Sequence, residues 1–171
     1  MSWLGPRSVD GGVDRIPLPR GPGTLWLCGK HAVGGDPEGA LQRVAATTMV
    51  CLNERHELEP RYPGYVAWLD RHRGTRALWY PIPDLHVPPL AELRPFVDDL
   101  VARLDGGSSL LMHCGAGIGR AGTVATCVLL AMGVGRDDAL RTVAEHRPLA
   151  GPEAGAQHEA VLHLAAELAG D

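Results

Sequence analysis

Short apolar runs alternate along residues 24–169 with longer stretches whose apolar positions recur every three or four residues. The short runs predict strands and the longer stretches predict amphipathic helices. The predicted strands are Leu25–Cys28, Met49–Leu52, Ala77–Ile82 and Leu110–Met112, and the predicted helices are Pro37–Ala46, Tyr62–His72, Leu90–Leu104, Arg120–Met132, Arg136–Glu145 and Glu153–Ala169. This alternation predicts an α/β fold with a mostly parallel central sheet of four to five strands flanked by helices.

The first 22 residues show a different pattern. They contain Gly5-Pro6, Gly11-Gly12 and Gly21-Pro22 and little apolar periodicity, which predicts an extended N-terminal segment without chemistry of its own. A chain of 171 residues has the length of one domain. We therefore expect a single folded domain over residues 23–171.

The charge balance limits the kinds of partner. Sixteen Lys and Arg against twenty Asp and Glu give a net charge of −4, so no broad positive field is available for nucleic acid or an anionic membrane. The start lacks a secretory pattern, and the longest apolar run, Val124–Met132, is too short to span a bilayer. We expect a cytoplasmic protein with neither a nucleic-acid nor a membrane partner.

Four widely spaced cysteines form no Cys-x-x-Cys pair. This pattern favours reduced thiols over a disulfide framework or a zinc site, and we expect neither a metal nor another cofactor. Cys28, Cys51 and Cys127 lie in apolar surroundings and are interpreted as buried thiols rather than as redox partners of Cys114.

A glycine-rich loop follows the fourth predicted strand and precedes an apolar helix. In parallel α/β folds, the unpaired N–H groups at such a junction favour anions. Gly115, Gly117 and Gly119 let the backbone curl and direct successive amides into one concavity. The loop therefore predicts a site for a tetrahedral dianion such as phosphate.

Cys114 and Arg120 lie at the two ends of this loop, with five residues between them. Amides and the helix dipole stabilise an anionic sulfur, which makes Cys114 a candidate nucleophile. The planar guanidinium of Arg120 can hold two phosphate oxygens and stabilise the transition state. Cysteine and arginine at this spacing alone are weak evidence; His113, Gly117 and the strand-to-helix context make the match specific.

The segment His113-Cys-Gly-Ala-Gly-Ile-Gly-Arg120 resembles the signature of the cysteine-dependent protein tyrosine phosphatases, and within them the small atypical dual-specificity phosphatases. The likeness continues at Ile82-Pro-Asp-Leu85 and from Arg147-Pro148 to Gln157-His-Glu-Ala160, and it covers roughly residues 24–165. It implies a phosphatase-like fold and hydrolysis of a phosphorylated protein or a small phosphomonoester through a phosphocysteine. It also implies that the backbone of Gly115, Ala116, Gly117, Ile118, Gly119 and Arg120 binds the phosphate.

Asp84 is the candidate general acid, since it follows the third predicted strand in the proline-rich segment Tyr80–Pro89. That strand is expected to end at the same sheet edge as the strand before Cys114, and the leaving oxygen needs a proton there. The resemblance implies that Asp84 first donates this proton and then activates water. His86 is the alternative acid, because imidazole exchanges protons near neutral pH.

Three further residues are candidate supports. The resemblance implies that His113 helps to hold the loop and that Gln157 orients water. Ala121 departs from the family, in which Ser or Thr often follows the signature arginine, and Thr123 could supply the missing hydroxyl or be an ordinary helix residue. Arg147 either borders the pocket or caps a helix end.

The departure at Ala121 leaves a second function open. Because Ala121 cannot donate a hydrogen bond, a catalytically weak, phosphoprotein-binding pseudophosphatase is the alternative to an enzyme. A thiol redox or sulfur-transfer protein is disfavoured by the long loop. The segment Asn53–Glu57 is expected at the pocket edge as a helix cap with solvated charges.

Overall fold

Five strands form one sheet in the computed structural model, which describes residues 9–170. They are β1 (Val13–Ile16), β2 (Thr24–Gly29), β3 (Thr48–Cys51), β4 (Ala77–Trp79) and β5 (Ser109–Cys114), and they lie in the order β1-β2-β5-β3-β4. β2, β5, β3 and β4 are parallel, and β1 is antiparallel to β2. The prediction of a mostly parallel sheet in an α/β fold is confirmed.

Helices connect the parallel strands and complete the chain. They are α1 (Pro37–Arg43), α2 (Arg55–Leu58), α3 (Pro63–His72), α4 (Leu90–Asp105), α5 (Gly119–Ala131), α6 (Arg136–His146) and α7 (Gly155–Ala169), with a 3₁₀ turn at Lys30–Ala32. Each predicted helix is present, with ends shifted by a few residues, and the short α2 was not predicted as a separate helix. No helix within residues 9–170 is long and apolar enough to cross a bilayer.

Side chains of the sheet alternate between two buried cores. Leu110, Met112 and Cys114 belong to the core that α4, α5, α6 and α7 cover, whereas Leu111 packs against α1, α2 and α3. This alternation follows from the two-residue period of a strand. Cys114 consequently lies on the α5 side of the sheet, at the carboxyl end of a central strand.

β1 lies in the segment for which the hydrophobic pattern predicted no strand. Its four residues pair with β2 from Val13 opposite Cys28 to Ile16 opposite Leu25. Only Ile16 of these four is fully buried, so the strand carries little of the apolar alternation that identifies strands in a sequence. The chain therefore adds an antiparallel edge strand before the parallel part of the sheet begins.

The strand before Asp84 is shorter than predicted. β4 ends at Trp79, because Pro81 and Pro83 cannot donate backbone hydrogen bonds. The N–H groups of Tyr80 and Ile82 still bond to the carbonyls of Cys51 and Leu52, each at 2.9 Å. The segment thus continues along β3 and delivers Asp84 to the carboxyl edge of the sheet, where β5 also ends.

Candidate active site

A cavity of about 930 Å³ opens at the carboxyl edge of the sheet. Cys114, Arg120 and Asp84 all line it, together with Gly115, Ala116, Ile118 and Gly119 of the loop between β5 and α5. The structure therefore brings the three predicted catalytic residues and most of the predicted phosphate loop to one place. Glu57, Arg147 and Val9 also line this cavity.

The carbonyl groups of Gly115, Ala116, Gly117 and Ile118 all accept hydrogen bonds from other parts of the protein. The carbonyl of Gly115 accepts the N–H of Lys30 at 3.0 Å, and that of Ile118 accepts those of Gly122 and Gly151 at 3.0 and 3.1 Å. The carbonyls of Ala116 and Gly117 accept the guanidinium of Arg147 at 2.8 and 2.7 Å. Because N–H and C=O point in opposite directions across a trans peptide, this arrangement turns the following N–H groups toward the cavity.

These inward N–H groups have no protein acceptor. Among the described residues, no carbonyl or side chain accepts a hydrogen bond from the N–H groups of Ala116, Gly117 or Ile118. Gly117 has a φ of +74°, and a Cβ there would lie 2.2 Å from the carbonyl oxygen of Cys28, so only glycine fits. Convergent amides at a helix N-terminus form a binding site for an anion.

Arg147 binds the loop through two of its carbonyl groups. Its side chain is buried and, besides the two loop carbonyls, donates to the carbonyl of Gly12 at 3.0 Å and to the carboxylate of Asp14 at 2.8 Å. The guanidinium therefore connects the loop between β5 and α5 to β1, through Asp14, and to Gly12 just before that strand. Both roles open for Arg147 are present, because it lines the cavity and is also the C-cap residue of α6, where its N–H donates to the carbonyl of Val143 at 2.9 Å.

Arg120 forms a bidentate ion pair with Glu57 inside the cavity. Its Nη1 and Nη2 donate to the Glu57 carboxylate at 2.8 and 2.7 Å, and Nη1 also donates to the carbonyl of Ile82 at 2.8 Å. Partial burial acts to raise the pKa of Glu57, but the Arg120 guanidinium and the N–H of Glu54 lower it overall. Glu57 is therefore a carboxylate that orients Arg120, which corrects the expectation of a solvated charge at this position; the expected helix cap is present, and Arg55 and His56 are exposed.

The remaining donor of Arg120 is unused. Its Nε is buried and has no hydrogen-bond partner among residues 9–170. Burial acts to lower the pKa of Arg120, while Glu57, Cys114 and Asp84 raise it, so the guanidinium is cationic. An anion in the cavity would satisfy this orphan donor together with the loop amides.

Asp84 lies at the mouth of the cavity. Its side chain is 73% exposed, and its Oδ1 lies 3.5 Å from Nη2 of Arg120 and accepts the N–H of Leu85 at 3.0 Å. An exposed carboxyl group opposite the loop can exchange protons with both substrate and water. His86 is directed elsewhere, because its Nδ1 lies 2.7 Å from the carbonyl oxygen of Asp84 and the residue does not line the cavity.

The four cysteines differ in position as well as in environment. Cys114 is 3% exposed at the cavity floor, whereas Cys28, Cys51 and Cys127 are fully buried. Burial raises the pKa of all three, to about 12 for Cys51 and Cys127, so they are neutral thiols at physiological pH. Cys28 and Cys51 belong to the core on the opposite side of the sheet from Cys114.

His113 lies directly before Cys114 and makes polar contacts through both ring nitrogens. Its Nε2 lies 2.6 Å from the hydroxyl of Tyr65, and its Nδ1 lies 3.4 Å from the carbonyl oxygen of Cys114. Burial lowers the pKa of His113 to about 4, so its ring is neutral at pH 7. A neutral ring can accept a hydrogen bond from Tyr65 while it holds the end of β5.

The comparison with protein families agrees with this geometry. The model described as "PTP-SAK: Swiss Army Knife protein, DSP-PTPase phosphatase domain" matches residues 23–162. The chain belongs to this phosphatase family. The resemblance that the loop motif suggested is thereby confirmed, and the DSP-PTPase domain contains the loop, Asp84 and Glu57.

Solved structures show the same DSP-PTPase fold. Tk-PTP in its active form is 27% identical, with a TM-score of 0.65 and coverage of 89% of this chain and 96% of that one. Human DUSP28 is 23% identical (TM-score 0.68, coverage 92% and 95%), and kinase associated phosphatase with its catalytic cysteine replaced by serine is 18% identical (TM-score 0.73, coverage 94% and 97%). The search among curated proteins found no match.

The remaining predicted support residues of this DSP-PTPase domain lie around the loop rather than in the cavity. Thr123 is buried, and its hydroxyl donates to the carbonyl of Gly119 at 2.7 Å, as helix threonines do. Gln157 is fully buried, accepts the N–H groups of Glu153 and Ala154, and donates to the carbonyl of His86 at 3.3 Å. Gln157 thus connects α7 to the Asp84 loop and does not line the cavity, contrary to the expected water-orienting role.

Sequence reasoning placed Glu57 at the pocket edge but did not link it to Arg120. Glu57 is 63 positions from Arg120 in the chain. Its carboxylate also accepts the N–H of Glu54 at 2.7 Å, and such a helix-capping contact is by itself enough to account for a glutamate at this position. The position of Asn53–Glu57 directly after β3 was the available signal, because that strand ends beside β5 at the cavity.

Proposed function

We propose that this DSP-PTPase domain is an active phosphomonoester hydrolase that removes phosphate from proteins through a phosphocysteine. The observation that carries the proposal is the set of unused donors around Cys114. The inward loop amides and the Nε of Arg120 have no protein acceptor, although they lie in or next to a cavity with a nucleophilic side chain at its floor. Buried donors are normally satisfied, so this arrangement favours an anionic ligand.

In the first step, the Cys114 thiolate attacks phosphorus and a sulfur–phosphorus bond forms as the bond to the leaving oxygen breaks. The loop amides and Arg120 bind the non-bridging oxygens, whose negative charge they stabilise in the transition state. Asp84 gives its proton to the leaving oxygen, which departs as a neutral alcohol or phenol. Its exposed position at the cavity mouth, opposite the loop, suits that role.

In the second step, water replaces the cysteine. The Asp84 carboxylate removes a proton from water as the oxygen attacks phosphorus, the sulfur–phosphorus bond breaks, and inorganic phosphate leaves. Cys114 returns to the thiolate and Asp84 to the acid, so the cycle closes without a redox step. Glu57 keeps the Arg120 guanidinium in place throughout.

Two substitutions test the proposal. Cys114→Ser should abolish turnover of p-nitrophenyl phosphate, and Asp84→Asn should lower kcat far more than it weakens substrate binding. Asp98→Asn is a matched control, because Asp98 lies exposed on α4 and does not line the cavity. Turnover that persists in Cys114→Ser would contradict the proposed mechanism.

Ala121 favours a second candidate function, a phosphoprotein-binding module with little turnover. Ala121 is fully buried directly after the signature arginine, where it has no hydroxyl to donate. Such a module would bind a phosphopeptide without forming phosphocysteine. Rapid chemical quench separates the two functions, because only the enzyme forms a covalent phosphoryl intermediate.

A further inference from the structure

Large apolar side chains are exposed mainly around the mouth of the catalytic cavity. Within residues 9–170, the exposed ones are Val9 (84%), Leu85 (50%), Leu149 (81%) and Leu162 (46%). Val9 and Leu149 line the cavity, and Leu85 directly follows Asp84, which lines it. We call Val9, Leu85 and Leu149 the apolar collar; Leu162 lies on α7 outside the cavity.

The two leucines of the collar have a backbone conformation that leucine rarely adopts. Leu85 has a φ of +64° and Leu149 a φ of +71°, and Ala45 is the other described non-glycine residue with a positive φ. Glycine or asparagine would relieve this strain. Because neither side chain is buried, core packing does not explain why leucine stands there, and strain of this kind concentrates at functional sites.

Among the described residues, the Lys and Arg side chains that line the cavity are Lys30, Arg120 and Arg147, and the last two are each paired with a carboxylate. The ammonium of Lys30 donates to the carbonyl of Glu57 at 3.1 Å, and Arg147 is buried among its acceptors. Burial, helped by Arg61 and Lys30, lowers the pKa of His31, so its ring is neutral at pH 7. Asp84 and Glu153 add carboxylates. These two exposed carboxylates would weaken the binding of acidic residues beside a phosphate, or of the headgroups of an anionic membrane.

We propose, on the basis of the proposed phosphatase function, that the collar selects phosphotyrosyl peptides with apolar residues on either side of the phosphotyrosine. Cys114 is only 3% exposed at the cavity floor, so the phosphate must enter on a long side chain. A phenyl ring spans the mouth, and the neighbouring peptide residues then meet Val9, Leu85 and Leu149. Burial of their apolar surface stabilises the complex.

The test measures binding to the Cys114→Ser protein by calorimetry. One phosphotyrosyl peptide carries leucine on both sides of the phosphotyrosine, and the other carries glutamate at the same positions. The leucine peptide should bind about tenfold more tightly. In the same background, the double substitution Leu85→Asn, Leu149→Asn should abolish most of this preference, because it removes two apolar side chains of the collar. Asparagine tolerates the left-handed backbone conformation, so the fold should be retained. Leu162→Asn is the control, because it also removes an exposed leucine but lies outside the collar. This variant should keep the preference for the leucine peptide.

Equal or tighter binding of the glutamate peptide would overturn the proposal, as would a preference that survives in the Leu85→Asn, Leu149→Asn protein. Tighter binding to vesicles of phosphatidylcholine with a phosphatidylinositol phosphate would also overturn it, in favour of a lipid substrate. Failure of the wild-type protein to hydrolyse p-nitrophenyl phosphate is a different outcome. It would contradict the proposed function, while the two dissociation constants would still decide the role of the collar.

Discussion

Arg120 and Glu57 are joined by two hydrogen bonds, 2.8 and 2.7 Å long, at the wall of the catalytic cavity. The pair uses both terminal nitrogens of the guanidinium, while the buried Nε has no hydrogen-bond partner among residues 9–170. A carboxylate beside a candidate phosphate site would by itself oppose anion binding, yet here its charge is balanced by the arginine that it orients. The position of Arg120 is thus set before the substrate arrives, which lowers the cost of binding.

Glu57→Gln should lower kcat/KM for p-nitrophenyl phosphate by about tenfold to a hundredfold, because Arg120 loses its ionic partner and its fixed orientation. Glutamine keeps the shape of the side chain and can accept one hydrogen bond, so the melting temperature should change little. Glu59→Gln is the control, since Glu59 is exposed and does not line the cavity. Unchanged kinetics in Glu57→Gln would show that the ion pair does not position Arg120 for catalysis.

Arg147→Lys should weaken binding of inorganic phosphate by about tenfold, because an ammonium group cannot bridge the carbonyls of Ala116 and Gly117 as the planar fork does. The loop amides would lose part of their orientation toward the cavity. Competitive inhibition by phosphate measures this effect. Arg136→Lys serves as the control, because Arg136 is exposed at the start of α6 and its ion pair with Asp137 is on the surface. An unchanged inhibition constant in Arg147→Lys would show that Arg147 does not orient the loop amides for phosphate binding.

His113 predicts a pH dependence of stability. In the folded protein its pKa is lowered to about 4 from an ordinary value of 6.5, so the unfolded chain binds a proton that the folded chain does not bind. The free energy of unfolding should therefore fall as pH decreases from about 6.5 toward about 4, and this contribution should be constant above about pH 7.

The measurement is urea denaturation at several pH values, for the wild type and for His113→Asn. The difference between the two proteins isolates the histidine from the carboxylates that also titrate at low pH. The wild type should lose more stability than His113→Asn across this interval. Parallel curves for the two proteins would show that His113 titrates normally in the folded state.

The sequence predicted the parts of the fold that local patterns encode. β2, β3 and β5 are short runs that are fully or largely buried, and α4 has a clear apolar face. All four elements can therefore be recognised from the spacing of apolar residues in the sequence. β1 was not detected, because an edge strand with one fully buried residue lacks that signal. β4 was predicted too long, since its hydrogen bonding to β3 continues past Pro81 without regular strand geometry.

Some residues of the candidate site could also be recognised in the sequence, and others could not. Cys114, the glycines and Arg120 lie within seven consecutive residues, so their chemistry could be recognised directly in the sequence. Glu57 and Arg147 act over 63 and about 30 positions, through contacts that only the order of the strands creates. Glu57 was interpreted as a solvated charge at a helix cap, whereas for Arg147 the pocket and the helix end both stayed open.

Ala121→Ser should accelerate breakdown of the phosphocysteine, because the new hydroxyl lies next to Arg120 and can donate to the departing sulfur. Stopped-flow measurements with p-nitrophenyl phosphate compare the initial burst with the steady state, and the serine variant should show a several-fold faster steady state relative to the burst. Ala125→Ser, one helical turn further along α5 and equally buried, is the control. The same ratio in Ala121→Ser and the wild type would show that the missing hydroxyl is irrelevant.

Detection of a phosphoryl group on Cys114 tests the proposed enzyme most directly. Asp84→Asn protein is mixed with p-nitrophenyl phosphate, whose leaving group needs little protonation, and is then quenched in denaturant, digested and examined by mass spectrometry. Loss of the water-activating carboxylate should make the intermediate accumulate, and the peptide that contains Cys114 should carry one phosphoryl group. Release of p-nitrophenol with no phosphoryl group on Cys114, or with the group on another residue, would contradict the phosphocysteine mechanism.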